Sequence, residues 1–218
     1  MNYLSKISLL TIGIVLLTNC NKPNSIENSN FKTETSDDEI QNGDIIFQTS
    51  QSKQSKAIQI ATKSKYSHCG IIYKKNGEYM VFEAVQPVQL TPLENWISRG
   101  ENEHYVIKRL KNADKILTID ALKKMKTIGQ KFLGKRYDFT FGWTDEKIYC
   151  SELVWKIYDR ALGIHIGKLE KLGDLDLSNP IVKNVLKNRY GTHIPKKEIV
   201  ISPESIYESE LLKTVKSN

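Results

Sequence analysis

Asn76-Gly77 separates two alternating apolar runs, His68 to Lys74 and Glu78 to Val85, and this pair constrains the fold more than any other feature of the chain. A two-residue type I′ turn needs positive φ at both positions, which Asn and Gly adopt at least cost. Such a turn pairs Lys75 with Glu78, and the register follows by counting. Ile71 faces Phe82, Gly70 faces Glu83, Cys69 faces Ala84 and His68 faces Val85. Side chains alternate across a strand. One side of the ribbon therefore carries Cys69, Ile71, Tyr73, Met80, Phe82 and Ala84, an apolar surface that must pack inward. The other side carries His68, Gly70, Ile72, Val81, Glu83 and Val85. His68 and Glu83 are diagonal neighbours there, with backbones about 7–8 Å apart. A one-residue slip would put them on opposite faces. A carboxylate inside Val81-Phe82-Glu83-Ala84-Val85 is costly to bury without a partner, and His68 supplies one. Taken alone, the pair also reads as an exposed contact of little consequence. Cys69 points to the apolar side and reads as core filler.

The second constraint is Tyr149-Cys150-Ser151-Glu152-Leu153-Val154. Leu153, Val154, Ile157, Tyr158, Ala161 and Leu162 recur with helical period, and Gly163 is the stop. The spacing places Cys150 in the first turn of an amphipathic helix. Free N–H groups and the positive end of the helix dipole favour a thiolate there, and helix N-termini lower Cys pKa from ~8.5 to about 3.5–7.5. A nucleophile needs a base, and the base an orienting group; Cys150, His68 and Glu83 supply the three roles. A zinc site built from Cys69, His68 and Cys150 is disfavoured. Adjacent strand residues point apart and the chain has no Cys-x-x-Cys pair.

Residues 1–19 read as a lipoprotein signal peptide: Lys6 precedes an apolar run from Ile7 to Leu17 that is too short for an ordinary membrane span. Leu17-Thr18-Asn19-Cys20 resembles a bacterial lipobox, which makes Cys20 the expected lipid-attachment residue and a membrane the expected partner. Asn21, rather than an acidic residue, follows it. That favours the outer membrane in a host with two membranes, and the cell envelope in any case. Residues 20–38 are polar, Asn- and Ser-rich, and read as a flexible tether. Residues 39–218 suit one domain. The net charge of +7 is dispersed as single lysines and Lys-Lys pairs. It gives no block suited to nucleic acid, which is a poor partner for an exported chain.

Further strands are expected at Ile45-Ile46-Phe47, Tyr105 to Ile107, Tyr137 to Trp143 and Glu198 to Ile201. Helices are expected over Ser52 to Thr62, after a Thr91-Pro92-Leu93-Glu94 capping box, along the stripe Ala121, Leu122, Met125, Ile128 and Phe132, and after Asn179-Pro180 and Ser202-Pro203. Helices mixed with antiparallel strands indicate an α+β fold.

The ordered set Gly43-Asp44-Ile45-Ile46-Phe47, Tyr66-Ser67-His68-Cys69-Gly70-Ile71, Phe82-Glu83-Ala84, Tyr137-Asp138 and Tyr149-Cys150-Ser151-Glu152-Leu153-Val154 resembles a permuted papain-like hydrolase of the YiiX/YebB-like group. That group lies within the NlpC-type superfamily, which includes lecithin retinol acyltransferase. The resemblance covers about Gly43 to Ile206. It implies an antiparallel sheet bearing His68 and Glu83, with the Cys150 helix packed against it. It also implies thiol attack on an amide carbonyl of a wall peptide, lipoprotein or acyl conjugate, without a cofactor or metal. Tyr137 is then the expected oxyanion donor beside the Cys150 N–H, and Tyr66 an expected lining of the substrate cleft. Glu152 stands where many relatives have Gly. A non-catalytic envelope binding module is the alternative, and it has no use for all three of Cys150, His68 and Glu83.

Overall fold

The computed structural model describes residues 39–218; the expected signal peptide, the tether and Cys20 lie outside them. In chain order the elements are β1 (Ile45–Ser50), α1 (Ser55–Thr62), β2 (His68–Lys75), β3 (Glu78–Glu83), β4 (Gln89–Pro92), α2 (Leu93–Ile97) and β5 (Gly100–Leu110). They continue with α3 (Ala113–Ile116), α4 (Ile119–Gln130), β6 (Arg136–Tyr137), β7 (Lys147–Ile148) and α5 (Cys150–Leu162). The last are β8 (Glu170–Lys171), α6 (Pro180–Tyr190), β9 (Ile199–Val200), α7 (Pro203–Tyr207) and β10 (Leu212–Ser217). Six strands form one sheet in the order β10-β5-β1-β2-β3-β4, antiparallel at every junction. The architecture is α+β.

The β2–β3 hairpin turns at Asn76 and Gly77, both at positive φ, with Ile71 opposite Phe82 and Lys75 opposite Glu78. Its two faces have different partners, and both are buried. Cys69, Ile71, Phe82 and Ala84 join Leu153, Val154, Ile157 and Tyr158 of α5 in the main core. Ile72 and Val81 on the opposite face join Ile46, Ile107 and Trp96, the last carried over the sheet by α2. A strand buried on both faces cannot change register without expelling one set of apolar side chains from each core. That locks His68 and Glu83 onto the Trp96 face.

Two polar ties fix the sheet to its surroundings. Arg109 of β5 grips Asp44, just before β1, through Nε–Oδ1 at 2.7 Å and a second bond at 2.9 Å, both side chains buried. Removing one partner of such a pair ordinarily costs about 3–5 kcal/mol. The Tyr158 hydroxyl donates to the Gly43 carbonyl and so pins α5 to the entry of β1.

Asn179 and Ser202 cap α6 and α7 through side chains that accept from Ile181 N–H and Ser205 N–H, and Gly163 ends α5 in the left-handed region. Two expectations are corrected. Thr91 does not cap α2: it lies in β4, Pro92 is the N-cap residue without a side-chain bond, and the Thr91 hydroxyl is donated to Glu83 instead. Tyr137 to Trp143 is strand only at its start. The Asp138 carboxylate accepts from the Thr140 N–H, the Thr140 hydroxyl and the Gly142 N–H, and Phe141 takes positive φ. A side chain that captures its own following backbone diverts it from a ladder.

Candidate active site

Cys150 is the first residue of α5, with Tyr149 in extended conformation as N-cap. The residues on either side of it reach the same distant segment. Ser151 Oγ donates to the Ile201 carbonyl at 2.7 Å, and the Ile201 N–H donates to the Tyr149 hydroxyl at 3.1 Å. Glu152 is fully buried and turned away from the cleft. Its Oε2 accepts from the Tyr149 N–H at 3.4 Å, and its other oxygen lies 2.6 Å from Lys156 Nζ. Burial pushes its carboxyl up to about 8, against the pull of Lys156. Glu152 therefore braces the helix start and lines neither cavity of the site.

Cys150 is only 2% exposed, yet its thiol lies well below the ordinary value. The largest cause is a hydrogen bond from the Cys69 thiol; burial opposes it, and the charge and hydrogen bond of His68 and the Cys69 N–H reinforce it. Cys69 shifts the opposite way: burial and the neighbouring thiolate push its own thiol well up. Alternation assigns Cys69 to the core face, and that face is correct. The role of inert filler is not, because the apolar face is where α5 lands, and the first turn of α5 brings Cys150 onto it. The sequence signal for this contact is the match between the apolar face of the hairpin and the helix that must cover it.

The His68 ring is nearly buried and stacks on Trp96 at 5.8 Å between centroids. Its Nε2 is 2.6 Å from Glu83 Oε2, which leaves the opposite nitrogen for Cys150. Burial opposes charge on the ring, but the Cys150 thiolate and Glu83 outweigh it and raise His68 to about 10. The Glu83 carboxylate is fully buried and triply held, by His68, by the Thr91 hydroxyl at 2.5 Å and by Arg99. Burial works against its charge, and these partners together hold it below the ordinary carboxylate range. Thr91 and Arg99 complete the site, and neither is evident from the sequence.

Tyr137 ends β6 with its hydroxyl against the Cys150 sulfur, and burial together with that sulfur's charge pushes it well up. Gln54 Nε2 donates to the same hydroxyl at 2.9 Å, and Arg189 of α6 donates to Gln54 Oε1 at 2.5 Å. Tyr66 is elsewhere. It is buried with its ring 4.3 Å from that of Tyr207 and 6.1 Å from that of Phe47, so aromatic packing holds it and it lines neither cavity of the site.

Two cavities converge on these groups. An apolar slot between α1 and α6 ends at Cys150, while a polar groove of about 500 Å³ carries His68, Ser67, Gln86 and Arg99. Tyr137 and Gln54 line both.

A thiol at a helix start beside a sheet-borne His–Glu pair, with the nucleophile last in the chain, defines a permuted papain-like hydrolase. The chain belongs to the family described as permuted papain-like amidase enzyme, YaeF/YiiX, C92 family, which matches residues 39–216. It is 47% identical over 175 residues to the uncharacterized protein YiiX of Escherichia coli (strain K12), covering 80% of this chain and 85% of that one. It is also similar to the crystal structure of metalloprotein YiiX from Escherichia coli O157:H7. There the TM-score is 0.78 at 48% identity, over 82% of this chain and 97% of that one. The protein is a cysteine amidase or peptidase-type hydrolase.

Proposed function

We propose that this hydrolase cleaves an amide through Cys150, His68 and Glu83, and that it does so in the bacterial envelope while anchored by lipid at Cys20. The observation that carries the catalytic part is the meeting of a depressed thiol and a raised imidazole at one buried point, with Glu83 behind. The Cys150 thiolate attacks the amide carbonyl carbon, and the carbonyl electron pair moves to oxygen. The Cys150 N–H and the Tyr137 hydroxyl stabilise that oxyanion. His68 gives its proton to the amine nitrogen as the C–N bond breaks, which leaves a thioester. Water then loses a proton to His68 and attacks, and the Cys150 sulfur departs with the acid released. Glu83 keeps the ring oriented and stabilises its charged form throughout.

One solved relative is called a metalloprotein. Among the described residues no cluster of three or more His, Cys, Asp and Glu side chains could hold a metal ion, and His68 Nε2 is committed to Glu83. The donor set of this site does not fit a resident metal, and the steps above are those its side chains can perform.

Iodoacetamide distinguishes the two thiols. Cys150 is expected to alkylate at least ~10-fold faster than Cys69 near neutral pH, because its thiol is held well below the ordinary value while that of Cys69 is pushed well above it. Amide turnover is expected to decline as the pH rises through about 10, where His68 loses the proton it must donate. Equal alkylation of the two thiols would remove the case for an activated Cys150. For the anchor, the mature protein is expected to begin at an acylated Cys20 and to partition with membranes, since two or more chains give stable attachment. Intact-mass analysis that found an unlipidated mature terminus would overturn that part alone.

A further inference from the structure

We propose that Cys69 is a resolving thiol for Cys150: when a hydroperoxide oxidises the nucleophile, the two residues close a disulfide that silences the enzyme reversibly and spares its sulfur from further oxidation. The inference rests on Cys150 as nucleophile. Both cysteines are free, and the packing of α5 on β2 brings them together from distant parts of the chain. The Cys69 thiol and the Cys69 N–H both donate to the Cys150 sulfur. Their access to solvent differs. Cys69 is 0% exposed and borders neither cavity of the site, whereas Cys150 borders the one between α1 and α6. That cavity has about 70 Å³ of space for water-sized molecules, and hydrogen peroxide is little larger than water. A peroxide therefore meets Cys150 first. Among the described residues Cys69 is the one other thiol, and it already touches the sulfur that would be oxidised.

The Cys150 thiolate attacks one peroxide oxygen, the O–O bond breaks, and His68 protonates the departing hydroxide to water. Cys150 is then a sulfenic acid and His68 is neutral. Cys69 attacks the Cys150 sulfur, and its thiol proton leaves with the hydroxyl as a second water. Two thiols are oxidised to one disulfide, and one peroxide is reduced to two waters. Packing alone asks only for a small apolar side chain at position 69; the thiol adds a second nucleophile at the sulfur where oxidation begins. Burial keeps Cys69 protonated, so peroxide does not attack it directly. A sulfenic acid that meets no thiol climbs to sulfinic acid, which ordinary thiols cannot reduce. The disulfide stays reducible. A small dithiol attacks at Cys150 and frees Cys69, and its second thiol then displaces Cys150, whose thiolate leaves readily. In the envelope location proposed above, the reducing thiol pool of the cytosol is absent, which makes such a reserve useful.

Hydrogen peroxide tests this in the folded protein without knowledge of the substrate. The reduced protein is exposed to peroxide, its remaining thiols are blocked with iodoacetamide after unfolding, and its peptides are mapped by mass without reduction. The expected product is a peptide pair joined through Cys69 and Cys150 of one chain. Dithiothreitol added to the folded, oxidised protein is expected to restore at least ~90% of the rapid Cys150 alkylation. Cys69→Ser leaves a hydroxyl to donate to the Cys150 sulfur but no thiol to resolve it. The same exposure should then carry Cys150 to sulfinic acid, with recovery below ~10%. In Cys150→Ala, Cys69 should stay reduced. The joined peptide is read in the parent protein, so the result does not depend on how well a variant folds. Rapid alkylation of Cys150 before peroxide, followed by no joined peptide, would overturn the inference and leave the nucleophile standing. Sulfinic acid at Cys150 beside an unmodified Cys69, disulfides only between separate chains, or full recovery in Cys69→Ser would overturn it equally. Alkylation of Cys150 no faster than that of Cys69 before any peroxide would overturn the nucleophile, and the inference with it.

Discussion

Cys150→Ala is expected to abolish amide turnover, by at least ~10⁴-fold, in a protein that still folds. The substitution removes one sulfur from a site that is nearly closed to solvent, and the backbone of α5 stays pinned by Ser151 and Tyr149 to Ile201. A melting temperature within about 2–4 °C of the parent fits a cost near 1 kcal/mol for a chain of this size. The same variant makes a second statement that a structural cysteine would not. Without the thiolate, burial dominates at His68 and only Glu83 continues to favour the charged ring, so the imidazole should titrate well below its present value of about 10. NMR titration of the His68 ring in parent and variant measures this shift directly. Residual turnover above ~1% of the parent, or an unmoved His68 titration, would exclude Cys150 as the partner of the imidazole.

Glu83→Gln carries the second largest effect, an expected loss of about 10²-fold in kcat. The replacement has the same shape but the wrong polarity. An amide oxygen can still accept from His68, but its NH2 then faces the Arg99 guanidinium and the Thr91 hydroxyl, where the carboxylate now accepts from both. Removing the acid of a serine triad costs ~10⁴-fold; a preformed thiolate–imidazolium pair depends less on its third member. Loss of the negative charge also withdraws one of the causes that raise His68. The alkaline limb of the activity profile should therefore move below about 10, with the protonated form lost earlier as pH rises. Unchanged kcat and an unchanged limb would show that Glu83 serves packing only.

The parts of the site that are legible in the sequence are those fixed by local rules. A two-residue turn determines register and register determines face, so counting from Asn76-Gly77 is enough to join His68 and Glu83. Helical periodicity likewise puts Cys150 at a helix start and Gly163 at its end. The rest comes from chain-distant contacts that no spacing encodes. Thr91 has the sequence of a cap and the position of a ligand to Glu83, because β4 extends the sheet just far enough to carry its hydroxyl over the carboxylate. Arg99 arrives through the turn after α2, and Gln54 and Arg189 meet only because α1 and α6 pack side by side. Tyr66 adjoins His68 in the chain by two residues, yet Tyr207, far along the chain, captures it.

The bonds from Ile201 to both neighbours of Cys150 have a temporal consequence. As the chain is made, His68 and Glu83 can pair once their hairpin closes, long before the thiol exists. When the nucleophile finally emerges, the residue that clamps its helix start is still about fifty positions from being added. A chain that stops short of Ile201 thus carries a base and an acid but lacks the bonds that hold the start of the Cys150 helix. The hold on the nucleophile's helix is thus lent by a segment about fifty residues further along the chain, so a break between the two would free the sulfur while leaving the base and its acid paired.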